Sequence, residues 1–89
     1  MIDIKINAAF EKKLKKFVSR RPEFKKIISE KINLLSTDPT ARELENHKLS
    51  GELKGQRAIS ISEEYRITFI EIEENIYLLL NIGSHDVVY

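Results

Sequence analysis

Residues 59–82 read ISISEEYRITFIEIEENIYLLLNI. Ile59 and Ile61 alternate with Ser60 and Ser62, the period of two that gives a strand one apolar and one polar face. Ser62-Glu63-Glu64 marks a turn, Tyr65 to Ile72 reads as a second strand, and Glu73-Glu74-Asn75 turns the chain again. Ile76, Leu78, Leu80 and Ile82 then fall on one face of a last strand, while Leu79 on the other face predicts a strand covered on both sides. Gly83 closes that strand and leaves a tail, Ser84 to Tyr89. Three strands joined by tight turns form an antiparallel meander, and a meander must bury its apolar face against something.

The cover lies upstream. Ile2, Ile4 and Ile6 alternate with polar residues as a short first strand, and Asn7 can cap a helix by accepting from a free backbone N–H. Phe10, Leu14, Phe17 and Val18 follow at helical spacing to about Ser19, with lysines 12, 13, 15 and 16 on the other side. Past Arg20-Arg21, Pro22 suits the first turn of a second helix. Its stripe is Phe24, Ile27, Ile28, Ile32 and Leu35, and Thr37-Asp38-Pro39 ends it. Residues 40–57, TARELENHKLSGELKGQR, show weak periodicity and read as a long irregular connection with at most one helical turn, the kind of segment that often carries function. The expected architecture is α+β in the order β, α, α, β, β, β: a helical hairpin on one face of a mainly antiparallel four-stranded sheet, one domain over residues 1–89.

Composition narrows the chemistry. The chain has 89 residues, no cysteine and two histidines, so it offers no disulfide, no thiolate nucleophile and no zinc ribbon, and no cofactor is expected. Its longest apolar run, Ile76 to Leu80, is far short of the roughly 20 residues that cross a bilayer. MIDIKINAAF lacks the basic flank and apolar run of a signal peptide, so a soluble cytoplasmic protein without membrane contact is expected. The net charge of +1 conceals an asymmetry: residues 1–57 carry 14 Lys and Arg against 8 acids, and residues 58–89 carry Arg66 against 6 acids. Such a split fits a polyanion-binding face beside an acidic one, or simply lysine-rich helices beside glutamate-rich strands.

Cations able to meet phosphates are the helix lysines, Lys48, Lys54, Arg57 and Arg66. Lysines at helical spacing are most simply a solvated face. Arg66 is more telling, because its stem sits in an apolar strand and its guanidinium needs an anion: Glu64, Glu71 or Asp86 within the chain, or a phosphate gripped through paired N–H donors. His47 and His85 are the two side chains whose ordinary pKa lies near neutrality. His47 lies in the polar connection, and His85 follows Gly83-Ser84 just past the last strand, where side chains tend to line a cleft. Tyr89 can plug the sheet edge or stack a base. GELKG matches neither a P-loop nor a dinucleotide fingerprint.

As a set, HKLSGELKGQR (residues 47–57), the strand around Glu64-Tyr65-Arg66-Ile67, and the ending IGSHDVVY (residues 82–89) resemble the RelE/ParE toxin superfamily, and most of all its YafQ-like and RelE-like ribonucleases. The resemblance spans the chain, its specificity residing in the spaced H-x-L-x-G-x-x-x-G-x-R and in I-G-[ST]-H. It implies the toxin of a type II toxin–antitoxin pair, which cleaves messenger RNA on the ribosome and inhibits translation, and which a cognate antitoxin wraps in a hetero-oligomer. His47 resembles the group's first catalytic histidine, His85 its C-terminal one, Tyr89 its terminal aromatic and Tyr65 the aromatic of the middle strand. Two positions depart: Ser60 stands where the group has a second histidine, and Glu64 where it has an aspartate. Arg66 resembles the strand arginine of the wider superfamily.

Cleavage through the RNA's own 2′-hydroxyl needs a base, an acid and cations to hold charge gathering on phosphate. On this chemistry His47 or Glu64 is the expected base, His85 the expected acid, Arg66 with Lys54 or Arg57 the expected stabilising cations, and Tyr65 or Tyr89 the expected stacking ring, with Lys48 among the expected RNA contacts. Two other functions stay open: a ParE-like inhibitor of DNA gyrase, which has no use for the histidine pair, and a degenerate toxin that binds only its antitoxin.

Overall fold

The computed structural model describes residues 1–88, so the expectations placed on Tyr89 lie outside the described residues. The strands are β1 (Asp3–Lys5), β2 (His47–Lys48), β3 (Gln56–Ser60), β4 (Tyr65–Glu73) and β5 (Ile76–Ser84); the helices are α1 (Ala8–Arg20), α2 (Lys25–Thr37) and α3 (His85–Val88). They form a single sheet in the order β1-β5-β4-β3-β2, with β1 parallel to β5 and the other pairs antiparallel. The fold class is as the sequence predicts, an α+β layer pair, but the sheet has five strands rather than four. The extra strand is only two residues long, too short to show a period, and arises inside the connection expected to be irregular. That connection also holds two 3₁₀ turns, Arg42–Leu44 and Gly51–Leu53.

Asn7 caps α1 as expected, its side-chain oxygen accepting from the Phe10 N–H at 2.8 Å. Because the cap starts there, β1 stops at Lys5, and Ile6 is 46% exposed instead of joining Ile2 and Ile4 inside. Asn7→Ala should lower the unfolding free energy by about 1 kcal/mol, read as a lower urea midpoint at constant slope. Pro22 opens a 3₁₀ turn that leads into α2, and Ser36 near the end of α2 ties down β1 by donating to the Ile2 carbonyl at 2.6 Å while its own carbonyl accepts from the Ile2 N–H.

The core lies between the helices and one face of the sheet: Phe10 and Phe17 from α1, Ile28 and Leu35 from α2, and Ile59, Ile67, Phe69, Leu79 and Ile82 from the strands. The last strand corrects the sequence reading. Thr68 pairs with Asn81 but Phe69 pairs with Leu79, so Leu80 is an extra residue and the alternation reverses across it. Leu79 and Ile82 therefore face the helices together, whereas Ile76, Leu78 and Leu80 are only half-buried. Nor does Gly83 end in a tail: β5 runs on to Ser84, and α3 follows at once and packs against β5 and β4. Val88 of α3 is buried. Among the described residues no helix is long and apolar enough to cross a membrane.

Candidate functional site

Residues directly opposite in an antiparallel ladder send their side chains to the same face. His47 pairs with Ala58, Ala58 with Thr68, and Thr68 with Asn81; one row along, Ser60 pairs with Arg66 and Arg66 with Gly83. These rows have the opposite parity to Ile59, Ile67 and Ile82, so His47, Ser60 and Arg66 all belong to the face that α1 and α2 leave uncovered. His47 stands at its β2 edge. His85 is the first residue of α3, directly beyond the end of β5, and is exposed. Three strand spacings, about 14 Å, separate the β2 and β5 backbones, so the two histidines stand at opposite ends of the antiparallel strands' order.

Local structure holds each of these groups. Glu45 adopts the left-handed conformation (φ 48) at the end of the Arg42–Leu44 turn, and its carbonyl lies 2.8 Å from His47 Nδ1. A carbonyl can only accept, so the contact puts a proton on Nδ1. Gly55 precedes β3 with φ 96, a region closed to most side chains. A Cβ there meets nothing within 4 Å, so the cost of Gly55→Ala is backbone strain alone. We expect a loss of about 1–2 kcal/mol in stability, measured by urea unfolding. The glycine spacing of the motif is thus a requirement of the β2–β3 turn, not of a phosphate loop.

The Asp86 side chain lies outside the described residues, and neither Glu64 nor Glu71 holds Arg66. Its Nη1 instead donates to the carbonyls of Ser62, Glu63 and Tyr65, at 3.1 Å for Glu63 and 3.0 Å for Tyr65. Nε and Nη2 have no partner among the described residues, so the guanidinium is anchored at one nitrogen and can still meet an anion. Ser60, at the position of the missing histidine, is buried and donates to the Ser62 carbonyl at 2.9 Å, so it helps to shape the same loop. Glu64 is exposed in that loop, its N–H donating to Ser62 Oγ at 3.3 Å.

The remaining candidates lie elsewhere. Tyr65, next to Arg66 in β4, points to the helices: its ring meets Phe17 edge-on at 5.1 Å and Phe24 at 5.3 Å, and its hydroxyl accepts from Arg21 Nε at 2.9 Å. Arg57 pairs with Phe69 and Lys48, on the helix side, and its Nε donates to Asn46 Oδ1 at 2.8 Å. There it opposes a rise in the Tyr77 phenol pKa that comes first from burial and then from Glu71. Lys54 is exposed at the end of the Gly51–Leu53 turn, just before Gly55. The structure thus brings His47 and Arg66 to one face, leaves Tyr65, Arg57 and Lys48 off it, and sets His85 just beyond the end of β5. Among the described residues no group of three or more His, Asp or Glu side chains is placed to hold a metal ion. The sequence reading missed Arg21, the half-buried cation of the aromatic cluster; its position between the helices, directly before Pro22, was the available signal.

A face with an exposed imidazole and a fixed guanidinium, and a second exposed imidazole just beyond the end of β5, can exchange protons and hold an oxyanion. A family model described as the bacterial toxin of a type II toxin–antitoxin system, YafQ, matches residues 2–89. Among solved structures, YafQ from E. coli strain BL21(DE3) aligns with a TM-score of 0.81 at 16% identity, covering 100% of this chain and 99% of that one. A metal-bound toxin from Helicobacter pylori aligns with a TM-score of 0.79 at 26% identity, covering 100% of both chains. The E. coli DinJ–YafQ complex aligns with a TM-score of 0.78 at 19% identity, covering 100% of this chain and 99% of that one. No curated protein matches the sequence.

Proposed function

From the premise that the chain belongs to the YafQ family of type II toxin–antitoxin toxins, we propose that it is a ribosome-dependent messenger RNA endonuclease that blocks translation in the cytoplasm. The observation that carries this reading is the sheet face shared by His47 and Arg66, which the helical hairpin leaves open, with His85 exposed where α3 follows the end of β5. A gyrase inhibitor has no use for two proton-exchanging groups and a half-anchored arginine there. RNA brings its own nucleophile, so the protein needs to move two protons and hold charge. His47 Nε2, or the Glu64 carboxylate, takes the proton from the 2′-hydroxyl as its oxygen attacks phosphorus. The bond from phosphorus to the 5′-oxygen breaks, and His85 supplies the proton that the leaving 5′-oxygen takes up. Arg66 balances the charge that gathers on the non-bridging oxygens, with Lys54 reaching in from the β3 end. The products are a 2′,3′-cyclic phosphate, or the 3′-phosphate from its hydrolysis, and a 5′-hydroxyl. No external cofactor enters these steps, and Tyr89 supplies the stacking ring.

A cognate antitoxin as partner, in a hetero-oligomer, is supported by the family and by the DinJ–YafQ complex among its structural relatives. The test adds purified protein to a translating extract and maps messenger RNA ends by primer extension. Cuts within translated codons are expected. Intact RNA with supercoiling blocked would replace this reading by gyrase inhibition, and intact RNA with no growth arrest on expression would leave a toxin that binds only its antitoxin.

A further inference from the structure

A second feature lies on the other side of β5. β1 pairs only with Ile76–Leu78, so from Leu79 onward β5 has no neighbouring strand on that side. α1 runs beside this open edge, and between them is a groove of about 500 Å³ whose lining includes Lys13, Lys16, Arg20 and Arg21 together with Tyr65 and Ser84. The edge is partly guarded: Lys13 Nζ donates to the Leu80 carbonyl at 3.4 Å, and Asn81 Oδ1 accepts from the Ile82 N–H at 3.0 Å. The groove has four cations and no carboxylate in its lining. Four like charges around one cavity repel one another unless an anion joins them.

Arg21 is the pre-organised member. Its guanidinium carbon lies 4.8 Å from the ring centres of both Phe17 and Tyr65, and Nε is taken by the Tyr65 hydroxyl. Stacking and one hydrogen bond fix the plane of the fork, while Nη1 and Nη2 have no partner among the described residues. A planar fork held in this way suits two oxygens of one phosphate and loses little freedom on binding. Ser84, in the groove, is the chain neighbour of His85. A strand of RNA whose reactive phosphate lies at His85 passes over Ser84 directly into these cations.

We propose that the α1–β5 groove is a phosphodiester subsite in which Arg21, with Lys13, Lys16 and Arg20 around it, grips an RNA backbone phosphate beside the one at His85. The proposal rests on the reading of RNA as substrate and adds to it a binding track off the reactive face.

The probe is a fluorescein-labelled single-stranded 12-mer of 2′-O-methyl RNA, which cannot be cut because its nucleophile is blocked, titrated by anisotropy at several salt concentrations. Arg21→Met keeps the packing over the two rings and removes the fork. It is expected to weaken binding roughly tenfold and to reduce the slope of log affinity against log salt by about 0.7. Arg21→Lys should not restore affinity, since an ammonium cannot make the paired contact. Lys26→Gln, on α2 outside the groove, should change neither quantity. If Arg21→Met alters only thermal stability, Arg21 is a packing residue and the proposal falls. It falls also if the wild type fails to bind the oligonucleotide, or if a polyglutamate peptide alone binds in an Arg21-dependent way, which would make the groove a seat for an acidic protein. RNA that binds through Arg21 but stays whole in the translating extract would instead overturn the nuclease reading and leave the subsite standing.

Discussion

His85→Ala is expected to slow messenger RNA cleavage by roughly 10²- to 10⁴-fold, the range of a lost general acid or base, with the fold intact. Two structural facts separate the effects. His85 is exposed at the start of α3, so deleting its ring opens no cavity in the core. Among the described residues of α3, Val88 is buried, and the substitution does not touch it. The measurement is the first-order rate of appearance of primer-extension stops in a translating extract, with far-ultraviolet circular dichroism and the urea midpoint as controls. A normal rate from a folded His85→Ala protein would remove His85 from the chemistry. His47→Ala is the companion variant. If Glu64 is the base, it retains most of the rate, and Glu64→Gln loses it.

Much of this architecture was legible because the relevant signals are long. Two 13-residue helices and two nine-residue strands give periods enough to recognise, and Asn7, Pro22 and Thr37-Asp38-Pro39 punctuate them with residues whose backbone chemistry suits those places. What escaped was short or depended on register. β2 spans two residues and α3 four, about one period each, so neither pattern repeats. The extra residue in β5 reverses which isoleucines and leucines face inward, and no one-dimensional alternation can signal it, because Leu80 and Leu79 are the same residue type. The site shows the same limit. His47 joins Arg66 on one face only because β2 pairs with β3 in the observed register, and that register was not readable from residues 40–57. One inconsistency was visible from the start: Tyr65 and Arg66 are adjacent in a strand, so they point to opposite faces and cannot both line the same surface.

That alternation leads to the second large effect, at Tyr65. Its ring is the meeting point of Phe17 from α1, Phe24 from the turn before α2, and the Arg21 guanidinium, so it joins the helical hairpin to the sheet. Tyr65→Ala should remove three sets of contacts at once and cost about 2–3 kcal/mol, below the roughly 3–5 of a fully buried ring because the residue is only half-buried. For a domain of this size that lowers the melting midpoint by roughly 10 °C or more. Tyr65→Phe keeps the ring and loses one hydrogen bond to a charged donor, so about 1–2 kcal/mol is expected. If the ring's work is packing, cleavage by Tyr65→Phe stays near normal wherever the protein is folded, and any loss in Tyr65→Ala tracks its unfolded fraction as temperature is varied. A Tyr65→Ala protein that is as stable as the wild type, yet loses cleavage, would return Tyr65 to the role of a ring on which a base stacks. A Tyr65→Phe protein that keeps its stability but weakens RNA binding would show that the hydroxyl matters by aiming Arg21 into the α1–β5 groove.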